Sequence, residues 1–133
     1  MKPIKARATR ALPHGSWVDI CDNSGGKILK IITVLRHKTV KGRNPEAAIA
    51  DIVMGSVVSG KPEIRKTVVF AVIVRQKKEF RRHEGIRVKF EDNAAVILKD
   101  RDGNPKGTMI KGPIAREVAE RWPLVAKIAS VVL

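Results

Sequence analysis

The residues of this chain that could do chemistry are its lysines and arginines, because their type and spacing suit the binding of phosphate. The formal net charge is +14 over 133 residues, and three short stretches carry almost all of it. Two stretches contain no acidic residue, and the third contains Glu79 and Glu84. Their basic residues are Lys2, Lys5, Arg7 and Arg10; Arg36, Lys38, Lys41 and Arg43; and Arg75, Lys77, Lys78, Arg81, Arg82, Arg87 and Lys89.

A nearly neutral, apolar chain that carries basic segments suits a polyanion, because Lys and Arg displace condensed counterions from phosphate. The clustering of these residues predicts contact with nucleic acid, and solvated surface charge is the alternative. Such contacts go to phosphate and sugar, which fixes position and carries little sequence information. Phe80 lies between Lys78 and Arg81, and the sequence leaves open whether it stacks on a base or belongs to the core.

The remaining reactive residue types form no pattern that predicts an enzyme, a metal site or a cofactor. There is no nucleophile–base arrangement and no phosphate-binding P-loop, so we predict no catalytic residue. Asp100-Arg101-Asp102-Gly103 begins like a calcium loop but lacks the later oxygen ligands, so a plain turn is favoured. The candidate metal ligands are scattered along the chain and do not have the spacing of a metal site. They are His14, Cys21, His37 and His83.

Length and composition bound the class of protein. The chain is long enough for one domain with one core. Its single cysteine excludes an intramolecular disulfide and fits a reducing compartment. No apolar run approaches the roughly 20 residues that span a bilayer, so we expect no membrane partner. The basic start has no apolar block behind it, which argues against a secretory signal and favours an arm that docks on nucleic acid over a transit peptide.

The hydrophobic pattern predicts a mainly β fold. Turn chemistry at 22–26 predicts a hairpin, and the apolar run at 67–76 predicts a strand buried on both faces for part of its length. Many short strands with Gly-rich turns predict a small closed barrel. The predicted strands cover 16–22, 27–37, 48–58, 67–76, 86–90 and 94–99.

Only the C-terminus has a helical pattern. It predicts a helix that begins at Pro113 and ends before Pro123, followed by a second turn over 124–129. The apolar face of this helix caps the barrel, and its polar face is a candidate site for a partner protein. That polar face consists of Arg116, Glu117, Glu120 and Arg121. The whole chain is then one domain, with a basic arm at 1–15, a β-barrel with basic loops at 16–111 and a helical segment at 112–133.

The stretch from Ala71 to Ile97 resembles the signature of the universal large-subunit ribosomal protein family fourteen. Glu84 departs from that signature, because the family has Asp, Asn or Ser before the glycine. The matching elements are Ala71-Val72-Ile73-Val74, the basic spacer, Gly85, Phe90, Asn93 and Val96-Ile97. Two further blocks are similar to the family's N-terminal turn and C-terminal helix start, namely Asp22-Asn23-Ser24-Gly25 and Gly112-Pro113-Ile114-Ala115-Arg116-Glu117.

The resemblance is to the archaeal and eukaryotic branch, through the N-terminal arm, the loop at 37–47 and Arg121-Trp122-Pro123. It implies a five-stranded β-barrel with a short C-terminal helical segment. It also implies a structural role in the large subunit of the cytoplasmic ribosome. The implied partners are large-subunit rRNA, small-subunit rRNA at intersubunit bridges, neighbouring ribosomal proteins and a subunit anti-association factor at the C-terminal helix.

Two other functions compete with this interpretation. A free β-barrel RNA-binding factor or RNA chaperone would normally present aromatic stacking platforms, and this chain has only three Phe, two Trp and no Tyr. An RNA-modifying enzyme would need a catalytic cluster, which the sequence does not offer. We therefore expect a structural RNA-binding protein.

Overall fold

The structure is a computed structural model that describes residues 2–133, so Met1, the first residue of the predicted arm, lies outside the described residues. Strands dominate this part of the chain, and two short helices come near its C-terminus. In chain order the elements are β1 (Ala6–Arg7), β2 (Leu12–Pro13), β3 (Trp17–Ile20), β4 (Gly26–Val34), β5 (Glu46–Ala47), β6 (Ile52–Gly60), β7 (Val68–Arg75), β8 (Phe80–Arg82), β9 (Arg87–Val88), β10 (Ala94–Leu98), β11 (Pro113–Ile114), α1 (Arg116–Arg121), α2 (Pro123–Lys127) and β12 (Val131–Val132).

Five strands close into a barrel in the order β10-β3-β4-β6-β7. All neighbours in the barrel are antiparallel except β10 and β3, which run parallel and complete the closure. Strands β3 and β4 form the predicted hairpin. The prediction of a mainly β fold, with a five-stranded barrel and a short C-terminal helical segment, is confirmed. The division into arm, barrel and helical segment at 15 and 111 stays a prediction.

Strand β7 shows why the barrel needs a cover on one side. Successive side chains of a strand point to opposite faces. Ala71 and Ile73 pack in the barrel interior, whereas Val72 and Val74 belong to a second apolar cluster outside it. From Ala71 to Val74 the strand is therefore buried on both faces, whereas Val68 at its start is exposed. This agrees with the prediction that both faces are buried for part of its length. Strand β10 is buried from end to end in the same way.

The C-terminal segment covers this outer apolar face. Val118, Trp122 and Val125 of the helical region belong to the same cluster as Val72 and Val74. Trp122 is also fixed by a hydrogen bond, because its Nε1–H donates to the Ala50 carbonyl oxygen at 2.8 Å. The indole therefore adds a directional contact to the apolar packing.

The predicted start of the helix at Pro113 is wrong. Pro113 and Ile114 form β11, which pairs in parallel with β12, and α1 begins at Arg116. Backbone hydrogen bonds explain the difference, because the Leu133 N–H donates to the Ile114 carbonyl oxygen and the Ala115 N–H donates to that of Val74. The segment before α1 is thus held by extended chain and not by a helical turn. The predicted second turn is present as α2.

The remaining short strands dock loops and the N-terminal arm onto the barrel. Strand β1 pairs with β8, which pairs with β9, and β2 pairs with β5. The predicted strand over 86–90 is reduced to the two residues of β9 and lies outside the barrel. The chain turns sharply just before it, where Gly85 adopts a φ of 93°.

Gly103 is required by the packing of Trp122. Its φ is 96°, and a Cβ placed on it would lie 2.6 Å from Trp122 Cε3. Gly85 has a similar φ of 93°, but a Cβ there would have no atom within 4 Å. We expect Gly85→Ala to lower the free energy of unfolding by about 1–2 kcal/mol through backbone strain alone. Gly103→Ala should lose about 1–3 kcal/mol more through overpacking.

Urea unfolding of the two variants and the parent protein measures this difference. Equal losses for Gly85→Ala and Gly103→Ala would contradict the close contact between Gly103 and the indole ring.

Candidate nucleic-acid interface

Three arginines form a row across the small sheet made by β1, β8 and β9. Arg7 is directly opposite Arg81, and Arg81 is directly opposite Arg87. Residues opposite each other across antiparallel strands share a face, with Cβ atoms about 4.5–5.5 Å apart. All three side chains are exposed. We call Arg7, Arg81 and Arg87 the arginine row.

The other face of β8 anchors this sheet in the protein. Phe80 and Arg82 alternate with Arg81 and are both buried, so the strand has one face in the core and one in solvent. Phe80 lies in the outer apolar cluster, which resolves the alternative left open by the sequence in favour of a core residue. The strand that carries Arg81 is thus anchored in the protein by its buried face.

The arginine row concentrates like charge without a direct ion pair. Glu79 acts on Arg87 only at longer range, and the Glu79 carboxylate is already paired with Lys78. Like charges directly opposite each other destabilise a sheet. No carboxylate in residues 2–133 forms an ion pair with any of these three arginines. Lys5 and His83 line the same shallow concavity as Arg7 and Arg81. The surface therefore suits a ligand with several negative charges, such as a phosphodiester backbone.

Gln76 holds the arm that carries one end of the row. Its side chain is completely buried. Nε2 donates to the carbonyl oxygens of Thr9 and Lys78, at 3.2 and 2.9 Å, and Oε1 accepts from the Ile49 N–H at 2.8 Å. A buried amide needs such partners. Gln76 is not among the residues predicted from the sequence, although a polar residue ending a long apolar run is a signal that could have found it.

The arm continues from the arginine row to the second basic block. Arg10 Nη1 lies 3.3 Å from His37 Nε2, and the Glu46 N–H donates to His37 Nδ1 at 3.0 Å. Arg7 and Arg10 are three residues apart, so their Cα atoms are separated by at most about 11 Å. We call the connected exposed cations the basic band, which consists of the arginine row, Lys5, Arg10, Arg36, Lys38, Lys41 and Arg43.

Arg75 was predicted to bind RNA but is buried, with 8% of its surface exposed. Its guanidinium donates to both carboxylate oxygens of Asp92, at 2.8 and 3.1 Å. Its Nη1 also donates to the carbonyl oxygens of Lys111 and Pro113, each at 2.9 Å. These contacts fasten the C-terminal segment to the end of β7, so Arg75 has a structural role and no free face for phosphate.

Arg82 is the second predicted RNA-binding residue that is buried. Its Nε donates to Glu117 Oε1 at 2.8 Å, and its Nη2 donates to Glu117 Oε2 at 3.3 Å and to the Leu133 carbonyl oxygen at 2.6 Å. Glu117, which the sequence pattern assigned to the polar face of the helix, is instead only 3% exposed. The reason is that β8 places the Arg82 guanidinium against that side of α1.

The other residues of the predicted partner face differ in exposure. Arg116 and Glu120 are exposed, and Arg116 Nη1 donates to Glu84 Oε1 at 3.0 Å. Arg121 is half-buried, and its Nε donates to the Lys2 carbonyl oxygen at 2.8 Å. Burial raises the pKa of Asp51, which lies 3.4 Å from Arg121 Nη1. Only part of the predicted face is therefore open to a partner.

The other predicted RNA-binding residues, Lys2, Lys77, Lys78 and Lys89, are exposed outside the basic band. Lys78 is already paired with a carboxylate, because its Nζ lies 2.9 Å from Glu79 Oε1. That hydrogen bond lowers the pKa of Glu79. Lys77 and Lys89 line one concavity with Asp92. These lysines are weaker candidates for phosphate than the arginine row.

Cys21 and Asp100, two of the reactive residues considered from the sequence, are buried or already bonded. Cys21 is buried, and burial raises the pKa of its thiol to about 12, so it stays protonated at neutral pH. The Asp100 carboxylate is occupied within its own turn, since Asn104 Nδ2 donates to its Oδ2 at 2.7 Å. Residues 2–133 contain no group of three His, Cys, Asp or Glu placed to hold a metal ion. They also contain no helix that is long and apolar enough to cross a membrane.

Comparison with known proteins gives a consistent result. Residues 11–133 match the family model described as ribosomal protein L14p/L23e. Three similar proteins are each named large ribosomal subunit protein uL14, and each aligns over the full length of both chains. They come from Nanoarchaeum equitans at 54% identity, Methanothrix thermoacetophila at 50% and Methanocella arvoryzae at 47%.

The buried pair of Arg82 and Glu117 predicts a large loss of stability when one partner is removed. We expect Arg82→Met to lower the free energy of unfolding by about 3–5 kcal/mol, because it leaves the Glu117 carboxylate buried without its partner. Adding Glu117→Leu should restore much of that loss. Arg81→Met, at the exposed neighbour, should change stability by no more than about 0.5 kcal/mol.

Urea unfolding of the four proteins checks this prediction. If Arg82→Met and Arg81→Met behaved alike, Arg82 would have no structural role.

Proposed function

The chain belongs to the ribosomal protein L14p/L23e family, and from that premise we propose that its basic band binds large-subunit rRNA. As a member of this family it is a structural component of the large ribosomal subunit in the cytoplasm, not an enzyme. The three relatives are archaeal, in agreement with the branch that the sequence resembles.

The observation that carries the rRNA proposal is the arginine row. Three arginines lie opposite one another on one exposed sheet face, where no carboxylate of the described chain forms an ion pair with them. Arginine presents a planar fork of N–H donors that suits phosphate oxygens. Phosphates of rRNA remove the repulsion within the row, so binding relieves a cost that the isolated protein bears.

A second part of the proposal concerns intersubunit bridges. The basic band has the arginine row at one end and, at the other, the loop that carries Arg36, Lys38, Lys41 and Arg43, and all four of these side chains are exposed. Two basic surfaces joined by one arm can contact two RNA segments. We propose that one segment belongs to the large-subunit rRNA and the other to small-subunit rRNA at a bridge.

A third part concerns protein partners. Arg116 and Glu120 are exposed on α1, and Leu124 of α2 is exposed nearby in sequence. Charged and apolar groups together suit a protein surface better than a phosphate backbone. We propose that this face, which we call the α1 face, meets neighbouring ribosomal proteins or a factor that blocks subunit joining.

A free RNA chaperone, the alternative that the sequence left open, has less support. Membership of the family assigns the chain to the large ribosomal subunit. Phe80, which could have served as a stacking residue within the basic segments, is buried. No observation on the basic band favours a transient factor.

Neutralising the arginine row tests the rRNA proposal. We expect Arg7→Gln, Arg81→Gln and Arg87→Gln together to leave the fold intact, because all three are exposed. The slope of log K against log salt for rRNA binding should fall by about two to three, which corresponds to three lost phosphate contacts. In cells, the tagged triple variant should sediment near the top of a gradient, or leave large subunits in a high-salt wash.

The matched control neutralises three exposed lysines outside the basic band, Lys61, Lys106 and Lys127. It removes the same charge and should stay bound to large subunits after the wash. Retention of the arginine-row variant at the level of this control would refute the proposal.

A charge exchange tests the α1 face. We expect Arg116→Glu with Glu120→Lys to enter large subunits normally, since net charge is unchanged and the basic band is intact. Binding of the anti-association factor to purified subunits should weaken at least about tenfold, because misplaced like charges oppose docking. Co-sedimentation measures the binding. The control is the exchange Lys61→Glu with Glu63→Lys, and equal binding by the two variants would exclude the α1 face.

A further inference from the structure

A second row of side chains crosses the outer surface of the barrel. Trp17 of β3 is directly opposite Lys30 of β4, Lys30 is opposite Ser56 of β6, and Ser56 is opposite Val68 of β7. Because opposite residues share a face, these four side chains form one continuous row. Trp17 and Val68 at its two ends are 59% and 60% exposed. We call this row the outer platform.

The alternation of the strands fixes its direction. Val18 follows Trp17 in the chain, and Leu29 precedes Lys30. Both are completely or almost completely buried in the barrel interior. The platform therefore points outward. Of the aromatic side chains in residues 2–133, Trp17 is the exposed one, whereas Phe80 and Trp122 are buried.

The Val68 end of the outer platform is distant from the arginine row. Trp17 lies nearer to the far end of β7, because Asp19 is opposite Ala94 and Ala94 is opposite Arg75. Val68 begins β7 and Arg75 ends it, a separation of about 23 Å along the strand. The arginine row is carried by β8 and β9, which follow the far end of β7. A ligand on the platform would make contacts through Trp17 and Lys30, which do not belong to the basic band.

The composition of the platform favours RNA over a protein partner. Lys30 and Ser56 separate the two apolar ends, so the row is not a contiguous apolar patch. Lysine is depleted at the cores of protein interfaces, and here it lies inside the row. An aromatic ring beside a cation can instead hold an unstacked base on its face and the adjoining phosphate at its side. Arg65 and Lys66, both exposed, add positive charge just before β7.

We propose that Trp17 stacks on an unpaired RNA base and that Lys30 binds the phosphate next to it. The inference rests on the proposed rRNA function and deepens it, because it names the kind of RNA that this face takes. The basic band can bind the RNA sugar-phosphate backbone in any conformation, whereas the platform requires a single-stranded nucleotide with a free base face.

Trp17 fluorescence tests the stacking directly in the full chain. The probe is a single-stranded uridine decamer at low salt. We expect the decamer to quench the emission of the parent protein and to leave that of Trp17→Phe, which reports the buried Trp122 alone, unchanged. Trp17→Ala should bind the decamer roughly five- to 150-fold more weakly, the range for loss of one base–aromatic stack, with an unchanged salt slope.

The control is Met109→Ala, which removes a similarly exposed apolar side chain outside the platform and should bind like the parent. Unquenched Trp17, or Trp17→Ala with the affinity of the parent, overturns the inference. Neither result touches the rRNA proposal, which fails only if the arginine-row variant is retained in subunits.

A photo-crosslink at position 17 tests the assembled particle. Benzoylphenylalanine incorporated in place of Trp17 should form an adduct with large-subunit rRNA when purified subunits are irradiated. An adduct with a ribosomal protein, or none with RNA, overturns the inference and identifies the face as a protein contact.

Discussion

The rest of the structure depends on the double burial of β7 and β10. A closed barrel of five strands fills its interior with one face of each strand, and most outer faces can meet water. Here the outer faces of β7 and β10 are apolar as well, so the fold is incomplete until another layer covers them. The helical segment provides that layer through Val118, Trp122 and Val125.

Three polar residues, two at the end of β7 and one at the end of β8, convert this apolar contact into a defined geometry. Arg75 holds the segment before α1, Gln76 holds the arm, and Arg82 holds α1 and the last residue. A buried guanidinium or amide is tolerated only when its N–H groups have hydrogen-bond acceptors. Each of these side chains therefore fixes the position of the groups that it bonds to. The arginine row inherits its position from these contacts, because Arg7 lies on the arm and Arg81 lies beside Arg82.

The same basic block therefore serves two physical purposes. Its buried arginines form matched pairs with Asp92 and Glu117, and its exposed arginines have no such partners. The first group stabilises the fold, and the second leaves an electrostatic cost that a polyanion removes. The exposed indole on the outer platform also carries a cost, since an apolar ring is left in contact with water.

The sequence by itself determined the barrel, the hairpin at β3 and β4 and the sites of positive charge. Period-two alternation, turn chemistry and charge are local properties that can be counted along the chain. Two-residue strands such as β1 and β11 carry no such pattern, which is why the docking of the arm and the extended chain at Pro113 were not foreseen.

The tertiary structure decided which basic residues are free. The carboxylates that pair with the buried Arg75 and Arg82 lie 17 and 35 residues away in sequence. Trp17 is exposed because the barrel closes with Val18 inside. Burial is a property of distant segments brought together by packing. Residue type therefore identified the candidates for RNA binding, whereas long-range contacts separated structural arginines from those left at the surface.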